Sequence, residues 1–169
     1  MVVHLVKLLQ CRPEVREPPG IGVRTYCGEA DIAAWLAIRN QAFAGQTAGT
    51  RPWTAHDFRR EFLDKPEWRP EWIWFAETLE ATTPQPVGTV AMTLAELRQS
   101  PAVNVSWLAV LPEWRRRGVG RQLLAALEIY AWDAGRPLVR VETRSDWTAA
   151  MQFYQSLGYS PSDPRRRGG

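Results

Sequence analysis

Histidine and cysteine are scarce in this 169-residue chain, two of each, and that scarcity removes several classes of function. Cys11 and Cys27 stand at no metal-ligand spacing and no secretory leader is legible ahead of them. Two reduced thiols in a cytoplasmic protein are therefore expected, with no metal site and no disulfide scaffold. Long apolar runs are also missing. Residues 2–9, VVHLVKLL, include His4 and Lys7 and end after about eight residues, too short for a bilayer span. They lack the charged leading segment of a signal peptide, so no membrane segment is expected. A large excess of one charge is absent too. Lys and Arg number 21 against 18 Asp and Glu, a net +3, carried largely by residues 115–121 and by Arg165, Arg166 and Arg167. That distribution suits a small polyanionic ligand as well as a nucleic acid. The length, 45% hydrophobic and 23% charged content fit one globular domain with a sizeable core.

What the chain does contain is concentrated in residues 105–124, VSWLAVLPEWRRRGVGRQLL. Residues 105–111 are apolar and partly β-branched, a buried strand that Pro112 ends by removing a backbone donor. From Val119 onward Leu123, Leu124, Leu127, Tyr130 and Ala131 recur at three- and four-residue steps, the period of an amphipathic helix. The helix then starts at Gly118–Arg121. A helix start carries unpaired N–H groups and the positive end of the macrodipole, and glycine lets an anion approach the backbone. Arg115, Arg116, Arg117 and Arg121 add charge that persists at any ordinary pH. The segment reads as an anion-binding turn.

Around it the chain divides simply. Residues 1–11 form an N-terminal strand, and residues 12–20, RPEVREPPG, form an extended linker. A domain runs over 21–160, and 161–169 form a basic tail expected to be disordered. Within the domain the patterns predict a strand at 21–27, a helix at 29–43, a helix capped by Thr54 and carrying Phe58, Phe62 and Leu63, and a hairpin of strands at 72–79 and 87–97. Residues 137–143, PLVRVET, predict another buried strand. The helix between it and strand 105–111 makes a βαβ unit, whose strands are parallel and whose ligand lies beyond their carboxyl ends. A last helix at 148–157 ends at Gly158.

Two of these segments, taken together and in this order, resemble the GNAT N-acetyltransferase superfamily. Arg115, Gly118 and Gly120 in RRRGVG match its acetyl-CoA motif, and Ala150, Phe153, Tyr154, Gly158 and Tyr159 in AAMQFYQSLGY match its second motif. The resemblance implies an α/β fold: a GNAT-like mixed central sheet with a splayed parallel strand pair, flanked by about four helices. It implies acetyl-CoA as co-substrate and transfer to a primary amine of a small molecule or peptide by direct attack in a ternary complex. The diphosphate would lie on Arg115, Arg116, Arg117, Gly118, Val119, Gly120 and Arg121. The pantetheine arm would run beside the backbone of Leu108, Ala109 and Val110.

By the same resemblance Tyr154 is the acid that protonates the departing thiolate, since a phenol with a pKa of about 10 stays protonated at neutral pH. The preferred base is Glu142, near the carboxyl end of its strand, with Asp146 and Glu77 as further candidates. Asn104 stands where relatives often carry an acid, and Trp147 where many carry asparagine. An indole cannot accept a hydrogen bond, so a polar contact made there in relatives is missing or replaced. Trp53, Trp68, Trp72 and Trp74 fall in the half of the chain expected to shape the acceptor site.

Family sheets continue after the last helix, but SPSDPRRRGG predicts no strand. Residues 2–9 are expected to fill the vacant edge, within the chain or exchanged in a homodimer. Two other function classes compete with the transferase: a CoA-binding module without catalysis, and a nucleic-acid binder using the arginine clusters, the least favoured of the three.

Overall fold

The computed structural model describes residues 1–15, 17–46 and 51–162. Its centre is a seven-stranded sheet in the order β2-β3-β4-β5-β6-β1-β7. The strands are β1 (Val2–Leu8), β2 (Ile21–Thr25), β3 (Ile73–Thr78), β4 (Gln85–Leu97), β5 (Ser100–Val110), β6 (Leu138–Arg144) and β7 (Ser160–Pro161). Only β5 and β6 run parallel; every other neighbouring pair is antiparallel. The parallel pair is the one joined through α3 (Val119–Asp133), as a crossover helix requires.

Both faces of the central strands are covered, which explains why β3, IWFAET, is apolar almost throughout and does not alternate. Ile73 and Phe75 pack with Ala91 and Ala109 beneath α1 (Ala30–Ala42) and the short α2 (Ala55–Phe58), which runs on as a π-type turn, Arg59–Leu63. Trp74, Ala76, Val90, Met92, Val103 and Val105 pack on the other side with Leu123, Leu124 and Leu127 of α3 and with Tyr154 of α4 (Thr148–Ser156).

The N-terminal strand adds within the chain. Seven residues of β1 pair with β6, from Val2 opposite Arg144 to Leu8 opposite Leu138. Leu5 is fully buried. On the same face Lys7 Nζ donates to both oxygens of Glu128 at 3.1 Å, and the Tyr159 hydroxyl donates to Glu128 at 2.8 Å, so one buried carboxylate joins β1, α3 and the end of α4. The expectation of no strand after Tyr159 fails: Ser160 and Pro161 pair with Val6 and Leu5. Two residues suffice because the pairing is made by backbone, and an outermost strand tolerates a proline that lacks an N–H. Residues 163–169, most of the predicted tail, lie outside the described residues, as do residues 16 and 47–50.

Candidate active site

The site is made by an interruption of the sheet. The parallel ladder runs from Ala102–Leu138 to Val105–Val141 and stops there, although β5 continues to Val110 and β6 to Arg144. The cause lies on the other side of β5. Ser106 pairs with Ala91 and Ala109 with Thr89, so Trp107 and Leu108 together oppose Val90 alone. This extra residue is a β-bulge, with Trp107 at φ 53°. A bulge bends its strand and increases its twist, turning the end of β5 away from β6. Leu111 N–H donates to Val87 at 2.9 Å, and Ala109 is in register with Thr89, so alternation turns Ala109 toward β4. Leu108 lines the open seam, and the Val110 N–H turns away from β4.

A cleft of about 530 Å³ opens at this seam. Tyr154 lines it from α4, with Leu108, Asn104 and Trp107 from β5, Arg140 and Glu142 from β6, and Phe43 and Trp147 at the wall. Tyr154 is buried, and burial pushes its phenol well above the usual tyrosine range. Its hydroxyl has no hydrogen-bond partner among the described residues. Glu142 is the one of the three proposed bases on the cleft wall; its carboxylate lies 3.9 Å from His4 Nδ1 and is largely exposed. Glu77 instead accepts from Arg24 Nε at 2.7 Å, and Asp146 is held in a bidentate pair by Arg144 at 3.0 and 2.9 Å, which lowers its pKa.

Below the seam lies the glycine and arginine turn. Gln122 N–H donates to Gly118 at 3.0 Å as the first helical bond, so the N–H groups of Val119, Gly120 and Arg121 have no helical acceptor. Gly118 at φ 83° and Arg116 at φ 60° turn the chain sharply just before the helix. The four arginines differ in role. Arg115 is engaged with the fold, donating to the carbonyls of Val110 at 3.2 Å and Ala42 at 3.0 Å. Arg117 lies 4.0 Å over the ring of Trp114. Arg116, Arg117 and Arg121 form no ion pair among the described residues.

None of Trp53, Trp68, Trp72 and Trp74 lines the cleft. Trp72, in the turn before β3, and Trp74 of β3 are buried in the core with the residues of α3, where Trp72 Nε1 donates to the Tyr130 hydroxyl at 3.0 Å. The aromatic wall is built by Phe43, Trp107 and Trp147. Trp147, read as a loss of polar contact, tilts against Phe43 with ring centroids 6.0 Å apart. Sequence reading also passed over Arg140. Its signal was the alternation in LVRVET, where Val139 and Val141 are buried and Arg140 is turned to the other face.

Residues 70–161 match the family model described as an acetyltransferase (GNAT) domain. The chain belongs to the GNAT acetyltransferase family. A mycothiol acetyltransferase of Nocardia farcinica is 30% identical over 150 residues, covering 89% of this chain and 48% of that protein. This GNAT chain thus spans about half the length of the curated relatives it matches. Among solved structures, a GCN5-related N-acetyltransferase from Sphaerobacter thermophilus superposes with a TM-score of 0.74 at 22% identity, over 95% of this chain and 48% of that one. A NatC complex bound to Gag peptide and CoA gives 0.68 at 20% identity, over 85% and 86%. At these identities the likeness is one of fold alone. Among the described residues no helix is long and apolar enough to cross a membrane, and no group of His, Cys, Asp and Glu could hold a metal ion.

Proposed function

We propose that this GNAT domain transfers an acetyl group from acetyl-CoA to a primary amine within a ternary complex, in the cytoplasm. The observations that carry the reading are the end of the parallel ladder at Val105–Val141, where the cleft lined by Tyr154 opens, and the packing of Phe153, the neighbour of Tyr154, against Gly120 of the glycine turn. The free N–H groups of Val119, Gly120 and Arg121 and the side chains of Arg116, Arg117 and Arg121 would hold the phosphates. The backbone groups of Leu108 and the N–H of Val110 would pair with the pantetheine amides as an added strand does. Donors in that position would also stabilise the thioester oxygen as it gains charge.

The acceptor ammonium gives one proton to Glu142, directly or by a water, and its nitrogen attacks the thioester carbon. The C–N bond forms, the C–S bond breaks, the second nitrogen proton leaves to solvent, and the thiolate takes its proton from solvent. Burial keeps Tyr154 protonated across the working pH range, and a thiol near pKa 8.5 is the stronger acid. Tyr154 therefore donates a hydrogen bond to the developing thiolate charge and keeps its proton.

The test is acetyl-CoA turnover against an amine panel, with Tyr154→Phe alongside wild type. Turnover should fall by roughly 10²–10³-fold, as for loss of one donor to developing charge, while CoA affinity is retained. Full activity in the variant would remove Tyr154 from the chemistry. CoA binding without turnover of any amine by the wild type would favour the non-catalytic module.

A further inference from the structure

Resting on this transfer reading, we infer that the acceptor is an amino acid or peptide-like amine whose carboxylate lies a few bonds from the reacting nitrogen, and that Arg140 binds that carboxylate. The argument begins with the strand. Val139 and Val141 of β6 are buried against the α3 and α4 side, so Arg140 and Glu142 project to the opposite face, on which α1 and α2 lie. Arg140 lines the cleft. Its Nε donates to Asn104 Oδ1 at 2.6 Å, across the parallel register in which the two residues are paired.

The partner is an amide, and this decides the charge. A carboxylate at position 104 would neutralise Arg140, whereas Asn104 orients the guanidinium and leaves its charge in place. Of the other charged residues of the cleft wall, Arg144 is held by Asp146 and Glu61 stands 3.8 Å from Lys65, while Glu142 lies 3.9 Å from His4 Nδ1 and forms no ion pair with Arg140 among the described residues. Arg140 forms no ion pair among the described residues. With Nε fixed, its two Nη groups form the planar fork that matches a carboxylate. The Asn104–Arg140 pair lies one step before the last rung of the ladder, Val105–Val141, and so at the closed end of the seam, away from the phosphate turn. Along β6, Arg140 and Glu142 are two residues apart, roughly 6.6 Å at strand rise. One acceptor can therefore set its nitrogen toward Glu142 and its carboxylate on Arg140.

The experiment measures kcat/KM for matched acceptors, glycine against glycinamide, β-alanine against β-alaninamide and phenylalanine against phenylalaninamide, with acetyl-CoA saturating. Calorimetry of N-acetylphenylalanine and its amide runs in parallel and needs no turnover. The wild type should favour the carboxylate member by roughly 10–100-fold, the range of one charge-assisted pair. That ratio should collapse toward one in Arg140→Gln and in Asn104→Asp, which keeps Arg140 in place and cancels its charge. Transfer without carboxylate preference, or a preference that survives Asn104→Asp, overturns the assignment while leaving the transferase reading intact. Arg140-dependent binding of N-acetylphenylalanine without any turnover sustains the assignment and overturns the transferase reading. Neither binding preference nor turnover overturns both.

Discussion

The ring of Phe153 lies over Gly120: a Cβ built on Gly120 would sit 3.4 Å from Phe153 Cζ and 3.5 Å from Cε2. The two motifs that are separate in sequence thus meet in space, α3 starting against the helix that carries Tyr154. The distances are ordinary van der Waals contacts, so the fold has room for a methyl group at this position. Gly118 differs, with φ 83° and an added Cβ only 3.2 Å from Pro18 Cγ. Gly120→Ala should change unfolding free energy by less than about 1 kcal/mol. Gly118→Ala should cost about 1–2 kcal/mol from left-handed strain. Urea unfolding of both variants checks the contrast, and equal losses would contradict it.

Arg115 and Arg117 should separate stability from ligand affinity. Arg115 fastens the end of β5 to the last carbonyls of α1 through Val110 and Ala42, so Arg115→Ala should cost about 1 kcal/mol of stability. Arg117 only stacks on Trp114. Arg117→Ala should leave the melting temperature nearly unchanged and weaken acetyl-CoA binding several-fold at low salt, with the difference shrinking as ionic strength rises. Titration calorimetry at two salt concentrations reads this directly; a salt-independent loss would remove Arg117 from the phosphate site.

Alkaline pH should destabilise the fold through Tyr154 and Tyr159. Burial raises both phenols above their ordinary value of 10.0, and Glu128 raises Tyr159 further. A raised folded pKa means that the unfolded chain loses its protons first, so this stability is fully present below about pH 10 and is lost as pH climbs toward the folded values. Melting temperatures between pH 8 and 11 should fall beyond pH 10, and less steeply in Tyr154→Phe. An identical slope in that variant would show that Tyr154 does not contribute.

The donor half of the site was legible because it is written locally. A strand, a proline, arginines, glycines and an amphipathic helix occupy consecutive positions, and each has its own backbone signature. Tyr154 was singled out only by the resemblance of its helix to the family's second motif; its own periodicity placed it on an apolar stripe. The acceptor half depends on the bulge at Trp107, which arises from a mismatch between β4 and β5 that no single segment contains. The same holds for Arg140, whose meaning comes from Asn104, a partner 36 residues away. Clustering in sequence could not place Trp72 and Trp74, because it says nothing about which side of a sheet each ring takes.

The N-terminal strand carries the last prediction. Leu5 is fully buried in the core formed with α3, and Leu9 is 6% exposed, while Lys7 holds the Glu128 carboxylate that also accepts from Tyr159. Leu5→Ala should therefore cost about 2–5 kcal/mol, the range for emptying a packed leucine site. Deleting residues 1–12 should cost more, since it exposes the edge of β6 along its whole length and leaves Glu128 buried beside one remaining donor. Val2→Ala, at a side chain that is largely exposed, is the control and should stay within about 0.5 kcal/mol of wild type. Because β6 also carries Arg140 and Glu142, the deletion should lower acetyl transfer before it lowers CoA binding. Thermal melts with and without CoA separate the two, and a deletion variant with an unchanged melting temperature would show that β1 is dispensable to the sheet.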